Sequence, residues 1–108
     1  MSRNYDEDTI LEYLRNYMEV AREVKKIVKK IDSNAKVYVF GSVVRGKYTA
    51  ASDIDILIVT EKIGEKYRIM VEVYKRIKAP IELHVTTPGK FASWYKRFIK
   101  PEEIVEVT

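Results

Sequence analysis

The sequence predicts an α/β (α+β) fold: a small mixed sheet of three or four strands flanked by helices, in the order α-β-β-α-β-α. Three observations predict it. Residues 36–40, 53–59 and 81–85 are short runs rich in β-branched residues, and the last two alternate in polarity with the period of a strand. Residues 6–31, 65–78 and 90–100 instead repeat their apolar residues at helical spacing. Gly41-Ser42, Ala79-Pro80 and Thr86-Thr87-Pro88-Gly89 fall between these runs, where the chain must turn.

The first helix is expected over residues 6–31, with Asp8 or Thr9 capping its start. Ile10, Leu14, Tyr17, Ala21, Val24, Val28 and Ile31 form its apolar stripe, and Lys25, Lys26, Lys29 and Lys30 give it a basic end that suits a helix C-terminus. Contact with nucleic acid is the other use of such an end. Asp32-Ser33-Asn34 reads as a loop. Lys36-Val37-Tyr38-Val39-Phe40 reads as a strand running into Gly41-Ser42. The connection 47–52 is small and polar; its Tyr48 could stack on a base or a partner surface. A second helix begins near Glu65 and buries Ile69, Met70, Val73, Tyr74 and Ile77, and Ala79-Pro80 ends it, because proline disfavours helical geometry in the residue before it. In the last helix Phe91, Trp94, Tyr95 and Phe98 form an aromatic stripe that most simply covers the sheet. Beside it, Lys96, Arg97 and Lys100 form a basic cluster. Aromatic and basic residues together also describe a nucleic-acid or partner surface. Residues 102–108 could add an edge strand or dock on a partner.

The chemistry concentrates in residues 40–59. Asp53 and Asp55 alternate with Ile54, Ile56 and Ile58, so both carboxylates face the same side of a strand, about 7 Å apart by the strand rise. Like charges this close raise each other's pKa unless a cation sits between them. Hard cations such as Mg²⁺ take carboxylate oxygens and share their shell with phosphates. Upstream, Gly41 permits a sharp turn and the close approach of a ligand. Ser42 can cap a short helical turn over residues 43–45, whose free N–H groups would form an anion site. Arg45 and Lys47 add positive charge nearby, and Gly46 lets the chain turn back.

Gly41-Ser42, ten intervening residues and Asp53-x-Asp55, with Arg45-Gly46 and Ser52, resemble the minimal nucleotidyltransferases of the DNA polymerase β superfamily. The resemblance covers roughly residues 31–85 with a flanking helix on either side, and implies the polymerase β-type nucleotidyltransferase fold. The combination is specific, whereas Gly-Ser or Asp-x-Asp alone is not; the bland alternative is a hairpin with exposed aspartates and a glycine turn. In the family a third acidic residue on the next strand completes the metal site and can accept the proton of the attacking hydroxyl. Glu82 matches that position, where aspartate is commoner. An edge-strand glutamate facing water is the alternative for Glu82. His84 shares its face and could hydrogen-bond a carboxylate or a ligand, or serve structure alone.

Composition bounds the rest. At 108 residues the chain reads as one domain, residues 1–108. Apolar residues make up 46%, which argues against disorder. The absence of cysteine excludes disulfides and thiolate metal sites, and one histidine excludes a multi-histidine zinc site built from this chain alone. The net charge of +4 suits a nucleotide, an acidic partner or RNA without selecting among them. Abundant Lys, Glu and Arg is a compositional hint of a thermophile. No apolar run is of spanning length, and Met1-Ser2-Arg3-Asn4 has no signal-peptide pattern, so the expected location is cytoplasmic.

The resemblance implies an enzyme that moves a nucleoside monophosphate from a nucleoside triphosphate, ATP by carry-over, to a hydroxyl. Asp53, Asp55 and Glu82 would be the catalytic and metal residues, with one or two Mg²⁺ ions. Gly41 and Ser42 would hold the triphosphate, and Arg45 and Lys47 would steady the leaving pyrophosphate. Stand-alone proteins of this kind resemble the antitoxin of HEPN/MNT toxin–antitoxin modules, which implies a HEPN-type toxin as partner and its tyrosine as acceptor. A non-catalytic module that masks its partner by contact, and an RNA-directed nucleotidyltransferase, are the alternatives.

Overall fold

A computed structural model describes residues 6–108; the stretch 1–4, read above for targeting signals, lies outside the described residues. Its sheet has four strands: β1 (Lys36–Phe40), β2 (Ile54–Val59), β3 (Ile81–Thr86) and β4 (Ile104–Glu106), in the spatial order β3-β2-β1-β4. β1 pairs antiparallel with β2 and β4, and β2 pairs parallel with β3. The mixed sheet with flanking helices is the fold class expected. The fourth strand comes from the C-terminal tail. Its pairing continues as Val107 N–H donates to Val37 O (2.8 Å), and Lys25 Nζ reaches Val107 O (3.0 Å).

The long first helix is in fact two, α1 (Glu7–Arg15) and α2 (Tyr17–Ile31), parted at Asn16 with φ −98° and ψ 33°. Asparagine competes with the backbone for hydrogen bonds and so favours helix ends. The apolar repeat runs straight through Asn16, which is why periodicity alone misses the break. The N-cap is Asp6, whose carboxylate accepts from Thr9 N–H at 2.7 Å, not Asp8 or Thr9. α3 (Ser42–Arg45) follows β1, and α4 (Lys66–Arg76) crosses from β2 to β3. No helix among the described residues is long and apolar enough to cross a membrane.

The strands are two-faced. Val37, Val39, Ile54, Ile56, Ile58, Leu83 and Val85 point into one core, where α2 contributes Val20, Ala21, Val24 and Val28, and α4 contributes Ile69 and Val73. Tyr48 packs on this core as well, so it is not a free stacking surface. Tyr74 departs from its expected place: it is part exposed, and its hydroxyl accepts the Leu83 N–H at 3.0 Å, covering a donor on the outer edge of β3. The other sheet face is covered only partly, by α5 (Pro88–Lys90), a π-helical turn Phe91–Tyr95 and α6 (Lys96–Phe98). Phe91 is buried there against Leu57 and Val59, and Tyr95 packs beside it. Trp94 and Phe98 do not cover the sheet: they are 58% and 68% exposed.

Asp32, expected as plain loop, is a buried latch. Thr60 Oγ1 donates to its Oδ2 at 2.5 Å, and Asn34 N–H donates to its Oδ1 at 3.0 Å. This ties the α2–β1 turn to the end of β2. The Thr60 hydroxyl is the largest influence holding the Asp32 carboxyl below its ordinary 3.8; desolvation opposes it, and Asn34, Lys62 and Lys29 add to the lowering. A depressed folded pKa contributes stability above the unfolded value and loses it as pH falls through the folded one. Thr60→Val should therefore cost about 1.5–3 kcal/mol at pH 7. The gap to the wild type should shrink below about pH 4, read from thermal melts across pH 7 to 2.

Candidate active site

Strand register brings the acidic residues together. Phe40 lies opposite Asp55 in the β1–β2 pair, and Asp55 lies opposite Glu82 in the β2–β3 pair. Two residues along the same face, Leu57 lies opposite His84. All of these point away from the valine and isoleucine core, because side chains alternate across a strand. Burial of Ile81, Leu83 and Val85 on one side of β3 leaves Glu82 and His84 on the other, as their alternation predicted.

Asp55, Glu82 and His84 each offer a ligand atom within 4.8 Å of the others. His84 Nε2 is 3.9 Å from Asp55 Oδ1 and 3.9 Å from Glu82 Oε1. Both gaps are too long for a direct hydrogen bond. Nε2 is itself buried and has no hydrogen-bond partner, although the imidazole as a whole is part exposed. The Asp55 carboxylate is the leading influence raising the His84 pKa above its ordinary 6.5, burial opposes it, and the Glu82 charge adds to it. Phe40 packs on the imidazole, ring centroids 5.3 Å apart.

The glycine bend abuts this group. Gly41 has φ 87° and ψ −153°, and a Cβ built on it would overlap Asp55 Oδ2. Only glycine tolerates both that backbone and that approach. Ser42 is the first helical residue of α3 rather than its cap; Gly41 holds the cap position, and the serine hydroxyl caps none of the helix's own N–H groups. Arg45 and Lys47 are exposed on the following turn, and Gly46 closes it in the left-handed conformation with φ 70°.

Asp53 is placed differently from Asp55. β2 starts at Ile54, so Asp53 precedes the strand, is exposed, and is not one of the three groups within 4.8 Å. The histidine takes its place in that set. Its signal in the sequence was its position two residues after Glu82 on an alternating strand. A carboxylate pair with an unpartnered imidazole nitrogen is a donor set that could hold a divalent metal. Glu82 is the most exposed of the three, and Asp55 and His84 are part buried; a concavity of about 590 Å³ lined by residues of α1 and α2 includes none of them.

The two positive-φ glycines separate sterics from backbone strain. Gly41→Ala should destabilise the protein by roughly 1–3 kcal/mol and displace the Asp55 carboxylate. Gly46→Ala meets nothing within 4 Å and carries the strain alone. Denaturant melts should show Gly41→Ala as the costlier of the two.

Comparison with known proteins places the fold. The family model for the nucleotidyltransferase domain matches residues 21–106. One similar crystal structure, provisionally described as a nucleotidyltransferase, shares 33% identity over 81% of this chain and 96% of its own, with a TM-score of 0.65. Another, from Sulfolobus solfataricus and described in the same provisional terms, shares 28% identity over 98% of this chain and 89% of its own, with a TM-score of 0.62. No curated protein matches. The matched segment contains Gly41, Ser42, Asp53, Asp55 and Glu82 and spans all four strands: the chain belongs to the nucleotidyltransferase domain family.

Proposed function

We propose that this protein transfers AMP from ATP to a hydroxyl, with a tyrosine of a HEPN-type toxin as acceptor, and so acts as the adenylyltransferase antitoxin of a two-gene module in the cytoplasm. The reading is carried by the convergence of Gly41, Asp55 and Glu82 on one sheet face, beside the Ser42 turn. The nucleotidyl-transfer part follows the family; donor, acceptor and partner are carried over from the resemblance to minimal nucleotidyltransferases.

The acceptor oxygen attacks the α-phosphorus, the new P–O bond forms, the bond to the β-phosphate oxygen breaks, and pyrophosphate leaves. Glu82, exposed at the edge of the group, would be the third metal ligand or the base that takes the hydroxyl proton. Gly41 presents bare backbone where phosphate oxygens must come close, and the Ser42 hydroxyl is free to donate to one of them. Arg45 and Lys47 put positive charge where the pyrophosphate departs. Asp55 and Glu82 would hold the divalent ion, Mg²⁺ on the family pattern, and Asp53 is the further ligand that the resemblance implies. When bound, that ion supplies charge neutralisation for the phosphates and acidifies the attacking hydroxyl.

One observation favours a contact-only reading: Trp94 and Phe98 pack in a tilted pair, ring centroids 4.9 Å apart, and stand exposed beside Lys96, Arg97 and Lys100. The same basic and aromatic surface is the support for RNA as acceptor. Labelled ATP with Mg²⁺ and the product of the neighbouring gene should yield labelled partner protein. The Asp53→Ala, Asp55→Ala double variant should leave only background label, and Glu82→Gln should slow transfer roughly 10²–10⁴-fold. Neutralisation of the partner by the double variant would establish masking by contact, and label on RNA would move the acceptor to nucleic acid.

A further inference from the structure

The imidazole in the acidic group has no role in the transfer just described, and its geometry is unusual. Nε2 is buried without a hydrogen-bond partner, yet it sits 3.9 Å from a carboxylate oxygen on either side. A direct hydrogen bond would bring the atoms to about 2.9 Å. A single bridging water, about 2.8 Å from each, would hold them between about 4.0 Å, at right angles, and about 4.6 Å, at a tetrahedral angle. Two ligands bonded to one first-row metal ion at about 2.1 Å lie between about 3.0 Å, at right angles, and about 4.2 Å, when opposed. The observed separations fall inside that last interval.

The neighbourhood holds the ring where it is. Phe40 packs on one side of the imidazole. β3 fixes its backbone opposite Leu57 in the middle of the sheet face. A histidine brought in only for structure would satisfy its nitrogen with a backbone or side-chain partner, because a buried polar atom left alone is costly. Here that nitrogen instead lies 3.9 Å from one oxygen of each of two carboxylates, Asp55 and Glu82.

We propose that His84 Nε2 is a metal ligand, completing with Asp55 and Glu82 a nitrogen–oxygen–oxygen set that prefers a first-row transition ion such as Mn²⁺ over Mg²⁺. The proposal rests on the reading of Asp55 and Glu82 as metal ligands. The preference follows from donor chemistry. Mg²⁺ demands oxygen donors in near-ideal octahedral geometry and keeps much of its water. Imidazole nitrogen binds later divalent metals more strongly, and Mn²⁺ accepts both donor types. Glu82, exposed and longer than the aspartate more usual at its position, has the reach to close on an ion that the ring has already placed.

The chain has one histidine, so any imidazole nitrogen found on a bound metal belongs to His84, provided the protein carries no affinity tag. Tag-free protein is titrated with Mn²⁺ alone, and again with inorganic tripolyphosphate, which has no nitrogen of its own. Free Mn²⁺ is followed by continuous-wave electron paramagnetic resonance, and the bound ion by pulsed spectra with natural-abundance and ¹⁵N-labelled histidine. The expected result is imidazole nitrogen coupling on the bound ion that changes with the label. His84→Ala and His84→Gln should each remove the coupling and weaken Mn²⁺ binding about tenfold or more, with Mg²⁺ competition much less affected. Tight Mn²⁺ binding without nitrogen coupling would overturn the role of His84 and leave the carboxylate site standing. No Mn²⁺ or Mg²⁺ binding under either condition would overturn the metal reading beneath it. The wild-type coupling needs no variant, so a misfolded substitution does not block the decision.

Discussion

Register across three strands is the constraint on which the rest depends. Phe40, Asp55 and Glu82 lie in one row because β1 and β2 pair antiparallel and β2 and β3 pair parallel. A slip of one residue in β3 would turn Glu82 and His84 into the core and bring Ile81, Leu83 and Val85 out. The slip is opposed by the apolar side chains packed on α2 and α4. The same burial that stabilises the sheet therefore aims its carboxylates.

The second constraint is steric. Asp55 has room only because Gly41 lacks a side chain, so the bend after β1 and the acid on β2 occupy one space. The glycine turn and the strand carboxylate are thereby kept against each other without intervening residues. Nothing comparable crowds Gly46, where the left-handed turn of the backbone is the whole requirement.

The sheet's two faces serve different ends. One is sealed by helices. The other is divided along its length: the π-helical turn and Phe91 cover the Leu57–Val59 end, and the Asp55–Glu82 end stays open. Trp94 and Phe98 turn outward from the covering segment. Helical spacing placed them on the same stripe as Phe91 and Tyr95, but the short covering segment has only enough sheet beneath it for two of the four rings.

The sequence by itself determined the first three strands and the fold class: alternation in 81–85 put Glu82 and His84 on one face, and Gly41-Ser42 with Asp53-x-Asp55 pointed to the nucleotidyltransferase family. These features are local, since period, turn chemistry and motif spacing are all written within a few residues. Tertiary structure decided what depends on distant segments meeting. It seated Asp55 against Gly41, joined the buried Asp32 to Thr60, and drew the C-terminal tail into the sheet beside β1. It also left Asp53 outside the strand and set His84 between two carboxylates. Those outcomes turn on where a strand begins to pair and which side chains then share a gap, quantities that exist only once the chain has folded.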